Sequence, residues 1–327
     1  MRSFRLLGIL VLLASFAVLA NNYVRTLKND PSLVPATPAP AVPHGKPQEA
    51  GTPPSAQRYR LKNNGRPDGF SVNQFPWPFP LIRMEESAAQ KLRELVIHKD
   101  ENILVLNKPG GVAVNISYDG NPSIQDSANA LRFDASDAPV IINRLDRPVS
   151  GALVMARNKQ AYDAYSEFFA KQLVRKTYWA ILTCKPKEEA GVVEKPLITQ
   201  LRKNHKNVRV ADEQNLEAMQ AVTEYRVLAT HTETGFTLVE LRPATERTHQ
   251  LRVHMQALGC PILGDDQYAG PYPERAEQYK IWKYMQLHAK RLELPPYSGP
   301  EHLVVDAPLP PHMGYALSVL KLRPEGM

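Results

Sequence analysis

Short apolar runs rich in β-branched residues recur through most of the chain, and they constrain the fold more than any other feature. They read ILVLN at 103–107, VIIN at 140–143, ALVMAR at 152–157 and TYWAILT at 177–183, followed by the segments 222–229 and 236–241 on either side of the polar turn HTETG. Runs of about four to eight such residues, bounded by Gly, Pro, Asn or Asp, have strand length and are too short for a stable buried helix. VAVN at 112–115, after the turn Lys108-Pro109-Gly110-Gly111, reads as a strand that returns along the first. Helices are expected only at intervals: over 85–95, over 159–171 with Asn158 as its cap, and over 249–258 with Thr248 as its cap and Gly259 as its end. Such an order implies an α+β domain with a mostly antiparallel central sheet and flanking helices.

The amino-terminal part does not share this pattern. Residues 6–20, LLGILVLLASFAVLA, follow Arg2 and Arg5 with no acid before Asp30, so 1–29 reads as an apolar targeting or anchor segment. A secretory signal, a short signal anchor with membrane contact, and an organellar presequence all fit that composition. Residues 30–58 are rich in Pro and Ala and read as an extended linker. Residues 59–80 form a basic and aromatic lead-in ending in FPWPFP, and the folded domain is expected over 81–327.

Lys and Arg total 40 against 33 for Asp and Glu, a net charge of +7, which suits a partner carrying many phosphates. The two cysteines, Cys184 and Cys260, are far apart and form no C-x-x-C pair, so neither a disulfide scaffold nor a cysteine zinc site is expected, and the catalytic part is assigned to a reducing compartment. His249 and His254 lie about 140° apart around a helix, so no metal site is expected either.

Arg144, Leu145 and Asp146 fall between two apolar strands, in a connection bounded by Pro148 and Gly151. A carboxylate in a loop on a rigid sheet is well placed for chemistry, although an acid in a strand connection is by itself usually a turn residue. Further along, RKTYWAIL at 175–182 sets a tyrosine after two cations, and RTHQLRVHMQALGCPILGDDQYAG at 247–270 opens with a basic helix. Tyr178 alone would read as core and Arg252 alone as a surface ion pair.

Together with INRLDRPVSGALVMARN at 142–158, LNKPGGVAV at 106–114, and LHAKRLELP at 287–295 with APLPPHM at 307–313, these segments resemble, in order, the motifs of the RluA family of pseudouridine synthases. The resemblance covers nearly all of 81–327. It implies a pseudouridine synthase catalytic domain with a central cleft, which isomerises uridine in tRNA or ribosomal RNA without a cofactor. It further implies that Asp146 is the nucleophile, Tyr178 the active-site tyrosine and Arg252 the partner of the aspartate, with Arg144, Arg247, His249, Gln250 and Lys108 binding substrate. Attack at the ribose C1′ and attack on the uracil ring both fit a carboxylate nucleophile. The implied partner is RNA, and the chain is expected to be a monomer.

Three positions depart from the family pattern. Asn143 stands where His is usual, Val149 where Thr is usual, and Glu246 where a Gly commonly precedes the arginine. The basic stretch LRKNHKNVR at 201–209 reads as a loop that contacts phosphates.

Overall fold

The computed structural model of the chain describes residues 88–115, 123–202, 205–212, 215–270, 274–281, 283–297 and 300–324. The readings made for 1–29, 30–58 and 59–80 lie outside these residues. Among the described residues no helix is long and apolar enough to cross a membrane.

The strands are β1 (Val96–Lys99), β2 (Ile103–Lys108), β3 (Val140–Ile141), β4 (Ser150–Ala156), β5 (Arg175–Leu182), β6 (Ala190–Glu194), β7 (Leu197–Arg202), β8 (His205–Val210), β9 (Val222–Thr230), β10 (Thr237–Pro243), β11 (Leu287–Leu294) and β12 (Leu303–Asp306). Helix α1 (Ala88–Glu94) precedes them, α2 (Lys159–Ala170) follows β4, α3 (Gln250–Ala257) follows β10, and α4 (Pro311–Val319) follows β12. One sheet runs in the order β1-β2-β4-β11-β5-β10-β9-β6, with β3 on β4 and β12 on β11, while β7 and β8 form a separate hairpin. The chain is thus an α+β fold on a mostly antiparallel sheet, as its short apolar runs predict.

Strand β4 shows how the sequence produces the layers. Side chains alternate across a strand. In β4, Leu153 and Met155 join one apolar cluster with Leu104 and Leu106 of β2. Ala152, Val154 and Ala156 join a second, with Ile103, Val105 and the α2 residues Ala161, Tyr165 and Phe169. The sheet is covered on both faces here, which is why these runs are continuously apolar. Asn158 caps α2 as expected, its side chain accepting from the Ala161 amide at 2.8 Å.

The exception to antiparallel pairing sets up the site. β4 pairs with β11 in parallel through Ser150↔His288 and Ala289↔Gly151, while β11 pairs with β5 antiparallel. At Gly151 the chain passes so close to β11 that a Cβ would lie 2.3 Å from the Ala289 carbonyl oxygen, and φ is +115°, so only glycine fits. The connection before β4 and the tyrosine of β5 therefore meet on either side of β11.

Four expectations are corrected. Residues 112–115 are not a strand: the Gly111 amide donates to the Arg147 carbonyl, and the carbonyls of Ala113 and Val114 accept from Ile124 and Gln125, so the backbone groups find loop partners instead. The described residues of 201–209 are not loop but belong to β7 and β8, whose apolar members Leu197 and Val208 pack on Val253 and Tyr268. The polar residues of this stretch obscured that alternation, and the side chains at 201–206 lie outside the described residues. Thr248 does not cap α3. His249 is the cap residue, in a left-handed conformation with φ +55° and without a side-chain capping bond.

The fourth correction concerns the cysteines. Cys184 and Cys260 are joined in a disulfide across 76 residues. The Thr183 amide donates to the Pro261 carbonyl and Leu182 bridges Ile262, so the chain just past β5 and the chain just past α3 run side by side. That proximity arises only on folding and leaves no trace in cysteine spacing.

Candidate active site

The connection from Arg144 to Val149 is a turn closed by the Val149 amide donating to the Asp146 carbonyl at 3.0 Å. It is fastened to the turn after β2 from three directions. The Gly111 amide donates to the Arg147 carbonyl at 2.8 Å. Arg147 Nε donates back to the Gly111 carbonyl at 2.9 Å. The Lys108 ammonium donates to the carbonyls of Pro109, Val112 and Arg147 at 2.9, 2.9 and 3.2 Å. Asn143 strengthens the entry, its Oδ1 accepting from the Val154 amide at 2.7 Å, and Val149 is buried in the main core cluster. Both departures from the family pattern thus serve to hold the loop.

Lys108 is fully buried and lines neither cavity at the site. Burial pushes its pKa from 10.5 down to about 7, with the Asp146 carboxylate opposing that shift and Arg147 adding to it. Its visible work is to tie the loop to the preceding turn.

The Asp146 side chain is 28% exposed, and one oxygen, Oδ2, meets Arg252 Nη1 at 3.3 Å and lies 3.7 Å from His249 Nε2. Arg252 is buried, and its main partner is a residue that inspection of the sequence did not single out for this role. Asp265 accepts from Arg252 Nε at 2.7 Å and from Nη2 at 2.9 Å, a two-point carboxylate fork. Burial lowers the guanidinium pKa, but Asp265 and then Asp146 more than offset it, so the group is held charged. Tyr268 lies under the guanidinium, 4.8 Å from ring centre to Cζ, and its hydroxyl meets His249 Nδ1 at 2.8 Å while accepting from the Val208 amide. The G-D-x-x-Y segment supplies all of this, and its glycine is required: at Gly264, with φ +81°, a Cβ would sit 2.0 Å from the Tyr284 carbonyl oxygen.

Two cavities of about 200 and 520 Å³ are both lined by Asp146, together with Arg144, His249 and Arg252. Tyr178, from β5, lines the smaller. Burial raises its hydroxyl pKa well above 10, and the Asp146 carboxylate adds to that, so the phenol keeps its proton. Arg144 is exposed at the rim and makes no ion pair among the described residues.

The remaining expected substrate contacts divide. Arg247 lines the smaller cavity, with Nε donating to the Gln220 carbonyl at 3.1 Å. Gln250 is buried. Its oxygen accepts from Thr245 Oγ1 and the Arg247 amide, and its nitrogen donates to the Val222 carbonyl and Thr223. Its hydrogen bonds are used in fixing the β10–α3 connection. Gln256, which helical periodicity groups with Arg252 on one polar face, is exposed while Arg252 is buried. Among the described residues no cluster of His, Cys, Asp and Glu could hold a metal ion.

The arrangement is a carboxylate paired with a fixed cation, beside a protonated phenol, in a cleft rimmed by arginines. The family model described as RNA pseudouridylate synthase matches residues 102–257. The chain is 36% identical over 220 residues to an uncharacterized RNA pseudouridine synthase of Zymomonas mobilis, covering 67% of this chain and 95% of that one. It is 33% identical over 228 residues to ribosomal large subunit pseudouridine synthase C of Rickettsia bellii, covering 69% and 72%. Among solved structures, human RNA pseudouridylate synthase domain containing 4 aligns with TM-score 0.62 and 30% identity, over 72% of this chain and 96% of the human one. The ordered motifs, the sheet and the likeness to these relatives agree: the chain belongs to the RluA family of RNA pseudouridine synthases and is an isomerase acting on uridine in RNA.

Proposed function

We propose that Asp146 is the nucleophile for a uridine flipped out of a structured RNA, tRNA or ribosomal RNA, and that Arg252 and Tyr178 complete the catalytic group. The observation that carries this reading is the Asp146–Arg252 contact at 3.3 Å on a cleft that Tyr178 also lines. In the isomerisation the bond from ribose C1′ to N1 breaks, a bond from C1′ to C5 forms, and the C5 proton is lost while N1 gains one. No oxidant or reductant is needed.

Covering the site with a nucleotide would desolvate Asp146 and disfavour its charge, and the adjacent guanidinium offsets that cost. The carboxylate then attacks C1′ or the uracil ring. Tyr178, as a neutral phenol, can stack on the base and relay a proton through its hydroxyl. A uridine inside a folded RNA is out of reach of any of these groups, and extruding it costs a few kcal/mol. Arg144, exposed beside Asp146, is suited to fill the vacated place in the stack, and Arg247 and His249 to contact the substrate. Gln250 and Lys108 enter this reading as braces for the residues that do.

The test is tritium release from RNA transcripts carrying C5-tritiated uridine, in single turnover. The wild type releases tritium, and Asp146→Asn binds the RNA but releases none. Absence of release by the wild type on both ribosomal and transfer RNA transcripts would end the proposal. The name of the Rickettsia relative makes large-subunit ribosomal RNA the first substrate to try.

A further inference from the structure

The smaller cavity contains an ion pair that the reaction above does not use. Lys176 lies on β5 two residues before Tyr178, hence on the same face of the strand. Its side chain is 4% exposed, lines the cavity, and carries its ammonium 5.7 Å over the Phe169 ring. The ammonium contacts the carboxylate of Glu246, which is 42% exposed. Burial pushes Lys176 down to about 8.

Glu246 is flanked by two residues that cannot move easily. The Thr245 hydroxyl and the Arg247 amide both donate to Gln250 Oε1, at 2.8 and 3.1 Å. The backbone on either side of Glu246 is therefore tethered, while its own side chain reaches from solvent into the cavity. An acid at this place repels a polyanion, and a buried lysine without a counter-charge is costly. One arrangement satisfies both facts: the cation keeps a protein anion while the site is empty and takes an anion of the substrate when the site is filled.

Resting on the functional reading above, we propose that Glu246 is a positioning residue, an internal anion that holds Lys176 in the empty site and is displaced from it by a phosphodiester of the bound RNA. The ligand of Lys176 is then the phosphate next to the flipped uridine. Glu246 moves into water, where nearly half of its side chain already is. The exchange favours a nucleotide within a chain over free uridine, because a nucleoside brings no anion with which to replace the carboxylate.

The test is a double-mutant cycle on the full chain, using Glu246→Gln, Lys176→Met and the double variant. Binding and single-turnover tritium release are read on RNA transcripts carrying C5-tritiated uridine, and thermal unfolding establishes that each variant is folded. Glu246→Gln tightens RNA binding and lowers KM by about threefold to fivefold, the scale of a half-exposed ion pair that no longer has to be broken. Lys176→Met weakens binding, and adding Glu246→Gln to it changes nothing further. Equal tightening in both backgrounds would mean general repulsion only, and weaker binding by folded Glu246→Gln would mean a structural brace; either overturns the proposal. Should Lys176→Met fail to fold, Lys176→Gln takes its place in the cycle. Binding is read without turnover, so a wild type that binds RNA but releases no tritium defeats the functional reading and leaves this test standing.

Discussion

Arg252, on the floor of the cleft, is tied at several points, by a carboxylate fork from Asp265, by Asp146 and by the ring of Tyr268. Arg144, on the rim and two residues from Asp146, is exposed without an ion pair among the described residues, and Glu246 meets Lys176 across the rim. The same residue type, arginine, is thus used in two ways. On the floor its charge is fixed by carboxylates of the protein itself, which in the proposed reading makes it a preorganised partner for the nucleophile. On the rim it stays solvated, which in the proposed reading leaves it able to follow a flexible polyanion.

The contrast is sharpened most by removing the fork. Asp265→Ala strands a buried guanidinium, and chemical denaturation should show a loss of about 3 to 5 kcal/mol. A loss as small as that of a surface change would show that the floor is no more constrained than the rim. The second anchor of the floor gives a pH signature. Lys108 holds its proton less tightly when folded, at about 7, than when unfolded, at 10.5. Between these values the unfolded chain binds more protons, so the contribution of Lys108 to stability is complete above pH 10.5 and is lost as pH falls through about 7. The rise of unfolding free energy with pH across that window should be less steep in Lys108→Met, by up to about 1.4 kcal/mol per pH unit. Parallel curves for the two proteins would place the lysine in a wetter site than the geometry implies.

Next in size is the phenol. Tyr178→Phe keeps the ring and deletes the hydroxyl, and single-turnover tritium release should fall by about a hundredfold if the hydroxyl relays a proton. A change within about twofold would reduce Tyr178 to a stacking surface. The smallest effect belongs to the rim. Arg144→Ala should leave stability within about 0.5 kcal/mol and reduce the salt slope of RNA binding by about one contact, measured as log affinity against log salt. If it destabilised the fold as Asp265→Ala does, the distinction between floor and rim would fail.

How much of this was legible beforehand varied from residue to residue. The hairpin of β9 and β10 was readable because its signal is local: two alternating runs and a polar turn in a single window. Asn158 was readable as a cap for the same reason, its bond spanning three residues. Arg252 could be assigned to Asp146 through the ordered motifs, but Asp265, its stronger partner, could not. Its role depends on Gly264 passing Tyr284, and nothing near 265 in sequence announces that contact. Gln250 and Lys108 carry the polarity of substrate-binding groups, and only the folded chain shows the hydrogen bonds that each makes within the protein.

By itself the sequence determined the strand-rich class, the order of the elements and the identity of the acid between β3 and β4. Each of these rests on periodicity, turn chemistry or motif order within short stretches of chain. Tertiary structure alone decided other partners: Arg252 with Asp265, Lys176 with Glu246 across 70 residues, and Cys184 with Cys260 across 76. The physical reason is range. Backbone preference and side-chain alternation act over a few residues, whereas the partner of a buried charge is set by sheet register, and by the parallel passage of β4 along β11, after the chain has closed on itself.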